Sequence, residues 1–97
     1  MNSFEKSLEQ RTVRLIEAQG GKAFKWVAPG HAGVPDRICI MPGGRIIFIE
    51  LKRQKSGRES PLQKRVSELL LSLGCTVWLI RDFEELKALL REDGYEV

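Results

Sequence analysis

Asp36 is followed, after thirteen residues, by Glu50, and Lys52 stands two positions further on. Between the two acids lie two apolar runs and a Pro42-Gly43-Gly44 cluster, which marks a turn joining strands. Ile46, Ile47, Phe48 and Ile49 are β-branched or aromatic, as a buried strand requires. If the loop is Pro42 to Gly44, with Gly44 at the positive φ such a loop needs, then Met41 faces Arg45, Ile40 faces Ile46 and Ile38 faces Phe48. Asp36 then faces Glu50. Directly opposed side chains have Cβ atoms about 4.5 to 5.5 Å apart, so the two carboxylates crowd one face of the sheet. Lys52 shares that face, because strand side chains alternate with period two. A two-residue Gly43-Gly44 loop would instead oppose Arg37 to Glu50 and send Asp36 to the other face; the three-residue loop is the expectation.

Two anions this close repel, which raises the pKa of one of them. A divalent cation removes that cost. Oxygen ligands with room left for water and phosphate oxygens suit Mg²⁺ or Mn²⁺. Such an ion activates water and neutralises the charge that develops at phosphorus. An ammonium beside it can orient the water or neutralise the phosphoryl oxygens. The chemistry implied is phosphodiester hydrolysis.

The elements that must position these groups follow from pattern. Ser3 starts a helix running to about Ala18 and ended by Gly20-Gly21. At about 100° per residue, Phe4, Leu15 and Leu8 fall together, followed round the arc by Thr12, Glu5, Ile16, Glu9 and Val13. Glu9 thus lies on the flank of the buried face, with Glu5 as its alternative. Ala23 to Val27 alternates Phe24 and Trp26 against Lys25 and reads as a short strand with one buried face. Pro29 to Gly33 is a loop carrying the single histidine, His31, expected in solvent. Arg37 points away from the Asp36 face, towards a phosphate or a salt-bridge partner.

Past Lys52, Arg53 to Glu59 is polar and without periodicity, a linker expected to be mobile. Ser60 caps the next helix, Pro61 takes its first position, and Leu62, Val66, Leu69, Leu70 and Leu73 form its apolar stripe before Gly74. Gln63 lies at the edge of that stripe, with Lys64 and Arg65 outward. Cys75 to Ile80 reads as a strand buried on both sides. Asp82 and Glu85 have capping-box spacing before a last helix with Phe83, Leu86, Leu89 and Leu90 on one face. The order helix, strand, strand, strand, helix, strand, helix predicts an α/β sandwich: an antiparallel hairpin, then a final strand reached through a helical crossover and paired parallel.

Pro35-Asp36 with Glu50-Leu51-Lys52 resembles the PD-(D/E)xK nuclease signature. Lys25-Trp26-Val27-Ala28-Pro29-Gly30, Gly33-Val34-Pro35-Asp36-Arg37 and Ser60-Pro61-Leu62-Gln63 are similar to the VRR-NUC branch of that superfamily, a likeness covering about residues 4 to 82. The resemblance implies a restriction-endonuclease-like αβββαβ core, here with an extra C-terminal helix, and a Mg²⁺- or Mn²⁺-dependent DNA endonuclease. Asp36, Glu50 and the Leu51 carbonyl would hold the metal, and Lys52 would position the water. Glu9 would support the metal directly or through water, and Gln63 would assist beside the lysine. Relatives made of this domain alone are similar to Holliday-junction resolvases, so branched DNA and a homodimer are expected. The alternative is a nucleic-acid-binding module without catalysis.

Composition is compatible with this. The 97 residues make one domain spanning the chain, and 42% hydrophobic with 30% charged residues is ordinary for a soluble protein. No apolar run reaches the length of a membrane span, and Met-Asn-Ser-Phe-Glu-Lys lacks a signal-peptide layout, so a cytoplasmic protein is expected. Cys39 and Cys75 lie in apolar runs without zinc spacing and are expected as free thiols. Residues 37–65 hold eight Lys/Arg against two acids, whereas residues 66–97 hold three against seven. The basic block adjoins the acid pair, and a phosphate backbone is its natural partner. Arg37, Arg53, Lys55, Arg58 and Lys64 are the expected DNA contacts.

Overall fold

A computed structural model describes residues 3–52 and 58–97, with side chains from residue 7 onward. Its elements are α1 (Ser3–Ala18), β1 (Lys22–Lys25), β2 (Arg37–Ile40), β3 (Ile46–Leu51), α2 (Pro61–Ser72), β4 (Thr76–Ile80) and α3 (Phe83–Glu92). The four strands lie in the order β1-β2-β3-β4. β1 with β2 and β2 with β3 are antiparallel, and β3 with β4 is parallel. This is the αβββαβ order expected of the sequence, with α3 added. Among the described residues no helix is long and apolar enough to cross a membrane.

The hairpin has the register of the three-residue loop. Arg37 pairs with Ile49, Ile38 with Phe48 and Ile40 with Ile46. The Met41 N–H donates to the Arg45 carbonyl at 2.8 Å across the Pro42–Gly44 turn. Both Gly43 (φ 85°) and Gly44 (φ 84°) take up left-handed conformations, one more than expected. The same register carried one residue further sets Asp36 opposite Glu50.

Alternation divides the sheet into two unequal faces. Cys39, Met41, Ile47, Ile49 and Leu51, with Ala23 and Ile80, meet Leu8 and Ile16 of α1 and Leu86 and Leu90 of α3 in one closed core. Each fully buried Leu or Ile there contributes about 1.5–3 kcal/mol. On the other face Trp26 packs against Phe48, ring centroids 5.1 Å apart, and an apolar cavity of about 700 Å³ separates Trp26 and Val34 from Leu62, Val66 and Leu70 of α2. Ser67 is the one buried residue of α2.

Three expectations about cover are corrected. In β1 the buried residue is Ala23, while Phe24 is 49% exposed: the Phe24 and Trp26 side faces α2, which reaches the tryptophan but not the phenylalanine. β4 is half-buried apart from Ile80, because it is an edge strand paired with β3 alone among the described strands. The stripe of α2 is only partly covered, with Leu69 57% and Leu73 70% exposed.

Local contacts fix the ends of the elements. Arg45 forks onto both oxygens of Asp93 at 2.6 and 2.7 Å, tying the hairpin to the end of α3. Asp82 caps α3 by accepting from the Glu85 N–H at 2.8 Å, and Glu85 accepts in return from the Arg81 N–H at 3.0 Å, one residue before the position a capping box predicts. Gly33, at φ 88°, presses the loop before β2 against α2: a Cβ there would sit 2.9 Å from Leu62 Cγ and 3.0 Å from the Leu62 carbonyl carbon and oxygen. Gly33→Ala is therefore expected to lower stability by about 2 kcal/mol in urea unfolding. A loss under about 0.5 kcal/mol would mean that the loop does not depend on this close approach.

Candidate active site

Glu50 sits on β3, an interior strand of the sheet, and is 0% exposed. Both of its carboxylate oxygens are buried and receive no donor. Opposite it, Asp36 stands where β2 begins, and its Oδ2 accepts the Leu51 N–H at 2.7 Å. That carboxylate takes the place of a strand carbonyl and is thereby fixed at the open end of the hairpin.

The Glu50 carboxyl is pushed up to about 8, chiefly by burial, then by a hydrogen bond and charge from Glu59 and by the charge of Asp36, against the pull of Lys52. Two ionised carboxylates have no proton to share. The Glu50–Glu59 bond exists only when one of them is protonated, which is why the ionised Glu50 has orphaned oxygens.

Lys52 continues β3, its N–H donating to the Ile80 carbonyl at 2.9 Å. Its Nζ donates to Gln63 Oε1 at 2.8 Å. The same oxygen accepts the Ser60 N–H at 2.9 Å, and Ser60 Oγ accepts the Gln63 N–H at 3.1 Å. Ser60 and Gln63 thus form a capping box. The sequence reading set Gln63 beside the lysine and Ser60 at the cap; that one oxygen serves both was legible in the Ser-x-x-Gln spacing and was missed.

The sequence pattern places Glu59 in a linker, yet it turns inward, with Ser67 Oγ donating to its Oε2 at 2.9 Å. The available signal was a serine interrupting the otherwise apolar inner side of α2.

Glu9 is buried, as its helical position predicts, but its carboxylate binds Arg37, at 2.9 Å from Nε and 2.8 Å from Nη2. Arg37 Nη1 also donates to the Ala23 carbonyl at 3.3 Å. Arg37 projects to the α1 face and Asp36 to the other, so Glu9 lies across the sheet from the acid pair. Among the described residues no three His, Cys, Asp or Glu side chains gather closely enough to hold one metal ion. The structure therefore brings together Asp36, Glu50, Lys52 and Gln63, and joins Glu9 to Arg37 instead. Arg58, Lys64 and His31 are exposed. The side chain of Glu5, and Arg53 and Lys55 altogether, lie outside the described residues. Cys39 and Cys75 are free, and burial pushes the Cys39 thiol up to about 12 against the influence of Arg37, which makes it unreactive.

A buried carboxylate without donors, a second carboxylate opposite and a carbonyl at Leu51 form a hard-oxygen set that fits a divalent cation. No family model matches the chain. It is 38% identical over 86 residues to "Putative nuclease p44" of Acyrthosiphon pisum secondary endosymbiont phage 1, covering 89% of this chain and 90% of that one. A solved structure described as a "VRR_NUC domain" superposes with a TM-score of 0.89 at 29% identity, over 97% of this chain and 100% of the other. A second, a "VRR_NUC domain protein", shares the fold with a TM-score of 0.70 at 19% identity, over 95% and 88%.

The raised Glu50 value has a sign that can be measured. Because the folded state binds this proton more tightly than an ordinary carboxylate at 4.5, its stabilising contribution is complete below about 4.5 and lost as pH rises through about 8. The thermal midpoint of the metal-free protein should fall across that window, and Glu50→Gln should flatten the fall. A midpoint that rises over the window, or an unchanged slope in the variant, would contradict this assignment.

Proposed function

Because the chain belongs to the VRR-NUC nucleases, we propose that it is a Mg²⁺- or Mn²⁺-dependent endonuclease acting on branched DNA such as four-way junctions, as a cytoplasmic homodimer. The observation that carries this reading is Glu50, buried without donors opposite Asp36 and beside a lysine held by Gln63. An ionised carboxylate in that position costs several kcal/mol or more unless a cation compensates it.

Asp36, Glu50 and the Leu51 carbonyl would hold the cation, whose charge polarises the phosphate and lowers the pKa of water. Glu50 must release its proton before a cation is held, so metal binding is coupled to proton loss below about pH 8. Lys52, fixed through Gln63, donates to the water or to a non-bridging phosphate oxygen and so stabilises the charge gathering there. Hydrolysis is direct. The water oxygen bonds to phosphorus as the bond to the leaving sugar oxygen breaks in line, the water gives up a proton and the sugar oxygen gains one. The DNA backbone lies along the basic block, on Arg58 and Lys64 with Arg53 and Lys55. Glu9 and Arg37 hold α1 to the sheet rather than the cation or the DNA.

The dimer reading is supported by exposed leucines along and just past α2, Leu62, Leu69 and Leu73, spaced to share one side of the helix. Cutting both strands of a branch needs two sites, and a second copy on this stripe supplies one while enlarging a small core.

Labelled duplex, flap and four-way junction DNA incubated with Mg²⁺, Mn²⁺ or EDTA tests the activity. Cleavage is expected with either metal, strongest on branched substrates and absent in EDTA. Glu50→Gln and Lys52→Ala should each slow it by a factor of about 100 or more. Salt-sensitive binding with no cleavage under any metal would make the chain a DNA-binding module instead. Light scattering should give the mass of two chains, reduced to one in Leu69→Glu/Leu73→Glu; a wild-type monomer would remove the dimer from the reading.

A further inference from the structure

The roles proposed for Asp36, Glu50, Lys52 and Gln63 leave Glu59 without a task. It immediately precedes the N-cap of α2 and is half-buried, its Oε2 held by Ser67 Oγ at 2.9 Å. α2 leaves Leu69 and Leu73 in solvent yet buries Ser67, at 7% exposure. Burying a hydroxyl is unfavourable unless it is bonded, and the bond this one makes holds the Glu59 carboxylate at a fixed place on the α2 side of the sheet. Glu50 is fully buried with both oxygens lacking a donor, and Glu59 lies within hydrogen-bonding reach of it. The serine keeps Glu59 in place, so that the two acids share a proton while Glu50 is neutral and repel once both are ionised.

We infer that Glu59 is a third acidic group of the site, a positioning residue that holds the Glu50 carboxylate and whose charge strengthens binding of the divalent cation. This rests on the reading that Asp36 and Glu50 hold that cation. Since no three such side chains already stand at mutual ligand distance among the described residues, Glu59 acts through Glu50 rather than as a ligand already in place. The competing role, an anchor that merely fastens the start of α2 to Ser67, requires only an acceptor atom at residue 59 and no charge.

Glu59→Gln separates the two roles, because glutamine keeps an acceptor for Ser67 and loses the charge. Mn²⁺ is titrated into the DNA-free protein at pH 8, and free Mn²⁺ is read by its paramagnetic resonance signal. Wild type should bind one equivalent or more, and Glu50→Gln should abolish that binding. Glu59→Gln should weaken it roughly tenfold or more, Glu59→Asp by less, and Ser67→Ala in the same direction. Above pH 8, where both acids are ionised, the metal-free thermal midpoint of Glu59→Gln should not fall, since a repulsion has been removed; an anchoring role would lower it. Wild-type affinity, or tighter binding, in a folded Glu59→Gln overturns the inference and leaves the Asp36 and Glu50 site standing. No binding by wild type, or unchanged binding in Glu50→Gln, overturns the site reading itself and the inference with it.

Discussion

The carboxylate of Glu50 is the constraint to which the rest of this protein adjusts. At zero exposure and without a donor, it can be tolerated as a neutral acid or beside a cation, but not as a lone anion. Its neighbours sharpen that alternative. Asp36 is held by the Leu51 N–H, and Glu59 by Ser67. Lys52 opposes them. A sheet interior that would ordinarily hold an isoleucine here holds a group whose charge state is decided from outside.

The two faces of the sheet divide the work. The α1 and α3 face carries the closed aliphatic core and a half-buried ion pair, Glu9 with Arg37, in which Nε and Nη2 share one carboxylate oxygen and Nη1 meets a backbone carbonyl. The α2 face is thinner and more polar, with an aromatic pair, a capping box and the acids. Stability drawn from the first face lets the second hold a repulsive cluster, since the cluster is a small debit against many buried methyl groups. Arg45 and Asp93 extend this support by tying the end of the hairpin to the last helix.

What the sequence made legible was whatever depends on neighbours along the chain. The turn glycines and the two apolar runs set the register of β2 on β3, and with it the opposition of Asp36 and Glu50, because turn length and alternation leave few choices. Helix starts at Ser60 and Asp82 were legible for the same reason. Cover was not legible. Phe24, Leu62, Leu69 and Leu73 are apolar in pattern and exposed in fact, because periodicity shows which residues share a face and not what lies against it. Pairing at a distance was likewise hidden. Glu9 had the right helical position for the acid cluster, but its partner 28 residues away stands on the other side of the sheet. Glu59 looked like solvent-facing linker because the serine that turns it inward lies eight residues ahead.

Gln63 Oε1 is shared between the Ser60 amide and the Lys52 ammonium, so the first turn of α2 is also the cradle of the lysine. Helix ends are the parts of a fold that open most readily, and here fraying of a single turn would free an ammonium group while the aliphatic core stayed intact. The place of that ammonium is thus set by one capping contact rather than by the stability of the whole.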